Sequence, residues 1–195
     1  MTGAELWLGK STVSELKKVN FENLKNQTER ERISVCLRRD ALKNHTYPER
    51  LKQIRSISGL AKFKEPSVSV VIATKRPEMV DRIIEIVKMQ DYDNLELILA
   101  LHGKGFSDSY EASKDGELAV SVLRFPEEEI FGNVLSKASA TAQGEWVTKM
   151  DDDDWYGREH VSDLIMASKY SNADLVGKSS EFVYLSMQDI TVRRD

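Results

Sequence analysis

Ser67-Val68-Ser69-Val70-Val71-Ile72-Ala73 decides the fold. Seven short, β-branched or small residues with almost no polar interruption suit a strand buried on both faces, as in a parallel sheet. Pro77 follows and opens a helix whose Val80, Ile83, Ile84 and Val87 fall at the i, i+3, i+4, i+7 spacing of one apolar stripe. The alternation continues. Leu95–Leu101 (LELILAL) reads as a second strand, ended by His102-Gly103-Lys104-Gly105, and Leu118–Phe125 as a third. Gly132–Ala142 reads as a helix stopped by Gly144, and Trp146–Met150 as a fourth strand. Val161, Leu164, Ile165 and Ser168 share a helix face, and Asp174–Val176 and Glu181–Leu185 are candidates for further strands. Strands and helices alternating at this spacing predict an α/β fold with right-handed crossovers.

Working back toward the N-terminus, the pattern changes. Pro66 marks a boundary, and residues 1–64 read as helices. Thr12-x-x-Glu15 and Thr28-x-x-Glu31 both have the form of a capping box. Pro48 suits the first turn of a further helix running to about Ser58, with Leu51 and Ile54 inward and Gly59 ending it. The apolar stripe of this arm (Leu16, Val19, Ile33, Leu37) is thin, so the helices need something to lie against. The expected domains are a helical arm over 1–64 and an α/β domain over 65–195.

Composition narrows the function. The 195 residues are 41% hydrophobic, enough for one sizeable core and an appendage. No apolar run reaches the roughly 20 residues that span a bilayer, and no signal peptide is evident, so a soluble, cytoplasmic protein is the expectation. Cys36 is the one cysteine, which excludes an internal disulfide and a thiolate zinc cluster. Residues 1–65 carry 14 Lys/Arg against 8 Asp/Glu, and residues 66–195 carry 14 against 24, within an overall charge of −4. In the basic arm, charges of both signs alternate and no aromatic stacking pattern accompanies them, so nucleic-acid binding is not expected.

In open α/β sheets, ligands sit at the carboxyl ends of the strands. Three segments must therefore meet there: Thr74-Lys75-Arg76, His102-Gly103-Lys104 and Asp151–Asp154. Two are basic and one is acidic, the layout for a nucleoside diphosphate with a divalent metal. Four aspartates in a row are usually a solvated loop. Here the run is held between an apolar strand and Trp155-Tyr156-Gly157, and carboxylate oxygens are the ligands that Mg²⁺ or Mn²⁺ prefers.

Two stretches carry a family resemblance. Pro66–Thr74 resembles the opening strand of family-2 (GT-A type) glycosyltransferases. Ala142-Gln143-Gly144-Glu145-Trp146-Val147-Thr148-Lys149-Met150-Asp151-Asp152-Asp153-Asp154 resembles their A-x-G-E/D-Φ-Φ-x-Φ-D-x-D-D segment, Φ being apolar. The resemblance covers about residues 66–185. It implies a GT-A type, Rossmann-like, mostly parallel sheet flanked by helices and preceded here by the helical arm. It also implies a nucleotide-sugar donor (a UDP-sugar as first expectation), Mn²⁺ or Mg²⁺, and an inverting transfer to an acceptor hydroxyl, in the synthesis of a surface polysaccharide or glycan. Carried over by position, Asp151 and Asp153 form the D-x-D pair, with Asp151 nearer the ribose or sugar, Asp153 on the metal, and Asp154 and Asp151 as further candidate ligands. Thr74 and Arg76 would line the nucleotide pocket. His102 stands where the family usually has acidic residues facing the base, which leaves uridine specificity open.

The family's catalytic base lies in a segment well beyond the D-x-D motif, and residues 155–195 hold no match to it. The expectation is a domain truncated before its acceptor half, with the base outside the chain and the fragment inactive. Arg38–Leu51, with its His45-Thr46-Tyr47-x-x-Arg50-Leu51 element, resembles the helical tail closing a GT-B type domain of the spore-maturation-protein-like group, over about residues 10–57. That resemblance implies an upstream domain whose body is absent here; the arm is then expected either to pack on the α/β domain or to pair with another copy as a homo-oligomer. Alternatives are a donor-binding module without catalysis and a nucleotidyltransferase. The latter would carry a Gly-rich loop after the first strand, where this chain has Thr74-Lys75-Arg76-Pro77.

Overall fold

The computed structural model describes residues 25–61, 63–108, 110, 118–178 and 181–194. The chain divides into two units, Met1–Lys64 and Glu65–Asp195.

In the first unit, α1 (Gln27–Asn44) and α2 (Tyr47–Ile57) are joined by His45 and Thr46. Asn26, rather than Thr28, caps α1, its side chain accepting the Glu29 N–H at 3.1 Å. Asn is as good a cap as Thr, and it comes first in the chain. Thr12-x-x-Glu15, Leu16 and Val19 lie outside the described residues. The His45-Thr46-Tyr47 element is a helix-to-helix turn: the His45 N–H closes α1 on the Ala41 carbonyl, and Thr46 Oγ1 caps α2 by accepting from Glu49. Gly59, at φ +68°, ends α2 in the left-handed region that glycine adopts without penalty. Leu51 and Ile54, expected to point inward, are exposed, as are Ile57, Leu60 and Phe63.

The second unit is a four-stranded parallel sheet in the order β3-β2-β1-β4, with β1 (Val68–Thr74), β2 (Leu95–His102), β3 (Ala119–Phe125) and β4 (Trp146–Lys149). Helices cover both faces, as the α/β resemblance implies. Val68, Val70, Ile72, Leu97, Leu99 and Leu101 pack on one face against α3 (Val80–Lys88) and α5 (His160–Ser171), which contribute Val80, Ile83, Val87, Val161 and Ile165. Val71, Ile98 and Ala100 pack on the other face against Val134 and Ala138 of α4 (Phe131–Ser139). Side chains alternate between faces along a strand, and here both faces are covered, hence the near-continuous apolar runs. Each fully buried aliphatic side chain contributes roughly 1.5–3 kcal/mol.

The expected strand at Asp174–Val176 is absent: these residues are irregular, and Leu175 is exposed. Glu181–Leu185 is a strand, β5, paired antiparallel with β6 (Ile190–Arg194) in a separate hairpin rather than within the main sheet.

Gly144 holds β4 against β1. A Cβ built there would stand 2.6 Å from the Ser69 backbone nitrogen and 2.9 Å from the Trp146 carbonyl oxygen. The closeness lets the Gly144 N–H reach Ser69 Oγ at 2.8 Å. Backbone atoms cannot swing aside, so Gly144→Ala is expected to destabilise the domain by about 1–3 kcal/mol. Urea unfolding measures this. An unchanged midpoint would mean that the turn before β4 yields freely.

Candidate nucleotide and metal site

Parallel pairing brings the ends of β1, β2 and β4 to one edge of the sheet. Val71 pairs with Lys149, and the Met150 N–H extends the ladder by one bond to the Val71 carbonyl at 3.1 Å. The acidic run therefore leaves the sheet beside Thr74-Lys75-Arg76. The run is tied down from its far side by Tyr156, whose hydroxyl accepts the Asp151 N–H at 2.8 Å and whose ring packs on the core. Burial pushes the Tyr156 hydroxyl up to about 12, with the Asp151 and Asp154 carboxylates adding to the shift, so it stays protonated. Trp155, expected to share in that anchoring, is instead 74% exposed.

Gln90, which the sequence reading missed, secures the loop further. Its amide donates to the Gly157 carbonyl at 3.2 Å, and its Oε1 accepts the Val161 N–H at 3.2 Å. One buried side chain thus links the end of α3 to the start of α5.

The four aspartates differ in their surroundings. The Asp151 side chain is half-exposed and ion-paired with Lys149. Asp153 is exposed, with the Arg76 guanidinium 3.0 Å from its Oδ2. Asp154 is exposed, and its backbone carbonyl accepts from Arg82 at 3.4 Å. Asp152 is buried. It accepts the Thr74 hydroxyl at 2.5 Å and Arg76 Nε at 3.0 Å on Oδ2, and Arg76 Nη2 on Oδ1. Burial disfavours the Asp152 carboxylate, but the hydrogen bonds from Arg76 and Thr74 outweigh it and hold the group below the usual range. The same hydrogen bonds, to Asp152 and then Asp153, raise Arg76 above an already high value. Thr74 is buried too, its hydroxyl spanning Asp152 and the Arg76 N–H, which it accepts at 3.0 Å.

His102 ends β2. It is 1% exposed, both ring nitrogens lack a hydrogen-bond partner among the described residues, and Phe131 is stacked 6.4 Å from it between ring centroids. Beyond it, Gly103 (φ +108°) and Gly105 (φ +88°) turn the chain through left-handed conformations. Thus Thr74 and Arg76 are brought together with the acidic run, and His102 lies under Phe131 at the end of the neighbouring strand.

Among the described residues, no three His, Cys, Asp or Glu side chains form a closed metal cage. The donor set nevertheless fits a hard cation. Mg²⁺ and Mn²⁺ sites of this kind use one or two carboxylates and complete the shell with water and substrate phosphates. Asp153 and Asp154 offer exposed oxygens of that type.

Residues 69–186 match glycosyl transferase family 2, well over half of the chain. The chain belongs to this family. Among solved structures it is similar to the mannosyltransferase PcManGT from Pyrobaculum calidifontis, a complex with GDP-Man and Mn²⁺, at 19% identity and a TM-score of 0.45, covering 54% of this chain and 33% of that one. It is also similar to residues 1–349 of TarS from S. aureus, at 19% identity and a TM-score of 0.47, covering 55% of this chain and 34% of that one. The chain therefore spans about a third of the length of these structures. No curated protein sequence matches it at a significant level. Among the described residues, no helix is long and apolar enough to cross a membrane.

Proposed function

We propose that this chain supplies the donor-binding part of an inverting glycosyltransferase, which moves a sugar from a nucleoside-diphosphate sugar to an acceptor hydroxyl in glycan or polysaccharide synthesis. One observation carries the reading: an acidic run leaves β4 at the carboxyl edge of a family-2 domain, directly beside the basic end of β1. In this reading, Asp153 and Asp154 ligate Mn²⁺ or Mg²⁺, Asp151 approaches the ribose or sugar, and Thr74, Arg76 and His102 shape the nucleotide pocket. A bound divalent ion would neutralise the diphosphate as it leaves. The chain's own part is to hold the donor still.

Thermal unfolding with a panel of nucleotide sugars, with and without Mn²⁺, tests this. Stabilisation by at least one donor in Mn²⁺, lost in chelator, is expected, since a ligand at 100 times its Kd adds about 2.7 kcal/mol. No shift with any donor would refute the reading. UDP-sugars head the panel and GDP-sugars follow, because His102 in place of an acidic residue leaves the base open.

The arm is proposed to join two copies. Helices of 18 and 11 residues with no buried side chain are marginal alone, and Leu51, Ile54, Ile57, Leu60 and Phe63 are exposed together. Light scattering should find the whole chain dimeric and a version starting at Glu65 monomeric. Monomers of equal stability in both cases would remove this role.

A further inference from the structure

Asp152 has the most fixed surroundings of the four aspartates. Its side chain is 11% exposed, against 45% for Asp151 and 59% for Asp153. Both of its oxygens are engaged: Arg76 grips it through two nitrogens, and the Thr74 hydroxyl adds a third hydrogen bond. Such two-pronged Arg–carboxylate pairs fix direction as well as charge. The same guanidinium touches Asp153 through a single nitrogen, at 3.0 Å from Oδ2, and among the described residues Asp153 has no other partner.

We propose that Asp152 is a positioning residue that holds the Arg76 cation to itself, leaving Asp153 available to a divalent ion. The inference rests on the metal reading given above and adds to it a residue that touches neither metal nor donor. The argument is one of charge. Arg76 is a permanent cation beside the metal's expected ligand. With Asp152 ionised, the bidentate pair is internally neutral, and its contact with Asp153 is the weaker, single-pronged one. With Asp152 uncharged, the Arg76 cation has one carboxylate left within reach, Asp153, and competes with the metal for it. Thr74 fixes the arrangement by accepting the Arg76 N–H while donating to Asp152, which locks the start of the loop to the acidic run.

The test is Mn²⁺ binding to the full chain, followed by water-proton relaxation without any nucleotide, with the melting temperature of every variant recorded. Asp152→Asn keeps the shape and removes the charge, and is expected to weaken Mn²⁺ about 10–100-fold, as loss of a ligand's supporting partner does. Adding Arg76→Gln removes the competing cation and should recover most of that loss, a non-additive result that a merely structural role would not give. Arg76→Gln alone should bind Mn²⁺ at least as tightly as the unmodified chain. Wild-type affinity in Asp152→Asn would overturn the proposal, as would a double variant no better than the single one, or lost binding in Arg76→Gln. A wild-type chain that takes up no Mn²⁺ at all would sink the metal reading itself, and this inference with it.

Discussion

Asp153→Ala is expected to abolish metal-dependent binding of UDP or GDP while leaving the fold intact. The Asp153 side chain is 59% exposed and makes one ion pair, so its truncation opens no cavity and strands no buried group. Surface changes of this kind usually stay within about 0.5 kcal/mol of wild-type stability. Its effect on binding should be large for a separate reason. A site that supplies only one or two carboxylates to the cation has nothing to replace a lost one, and the diphosphate is held largely through that cation. Titration calorimetry in Mn²⁺ should therefore show saturable binding by the wild-type chain and none by Asp153→Ala, with matching melting temperatures. Equal affinity in excess chelator would rule the metal out, because the basic groups at the end of β1 would then suffice. Asp154→Ala measures how the role is divided. A smaller loss would assign Asp153 as the main ligand, and equal losses would mean that both carboxylates are required.

The sheet was legible because burial on both faces leaves short apolar runs rich in β-branched residues, bounded by turn residues. β1 and β2 read as near-continuous apolar runs, and their ends shift by one residue: the structure extends β1 through Thr74 and β2 through His102. The helix phase was less legible. Of the stripe Val80, Ile83, Ile84 and Val87, three are buried, while Ile84 is only partly covered and Ile86 is buried in addition. Pro77 opens a 3₁₀ turn over Pro77–Met79 rather than the α-helix itself, which begins at Val80. The spacing motif located the acidic loop but could not rank its members. Asp152 meets Arg76 and Thr74 across 76 and 78 residues of chain, and nothing local distinguishes it from its neighbours. His102 sits in a stretch that reads as a polar loop, yet Phe131, from a helix far along the chain, stacks against it. In the arm, amphipathicity said that Leu51 and Ile54 need cover and could not say what covers them.

Transfer of sugar by residues 1–195 is expected to be slow or absent even where the donor binds well. An inverting transfer needs a carboxylate placed to take the acceptor's proton, and loss of a positioned base typically costs about 10²–10⁴-fold in rate. Three of the later carboxylates have surroundings of their own. Asp163 lies on α5 with Lys178 at 3.4 Å. Asp189 accepts the Tyr184 hydroxyl at 2.8 Å in the β5–β6 hairpin. Asp174 lines a groove with Trp146, Val147 and Leu175 along the outer edge of β4. The base is accordingly proposed to lie outside residues 1–195. A single-turnover assay separates binding from chemistry: with donor saturating in Mn²⁺ and a panel of glycan acceptors, the chain should retain the donor and form little product. Slow hydrolysis of the donor to free sugar would fit, since water can attack without an acceptor. Rapid transfer to any acceptor would place the base within residues 155–195, and alanine replacement of Glu159, Asp163, Asp174, Glu181, Asp189 and Asp195 in turn would identify it.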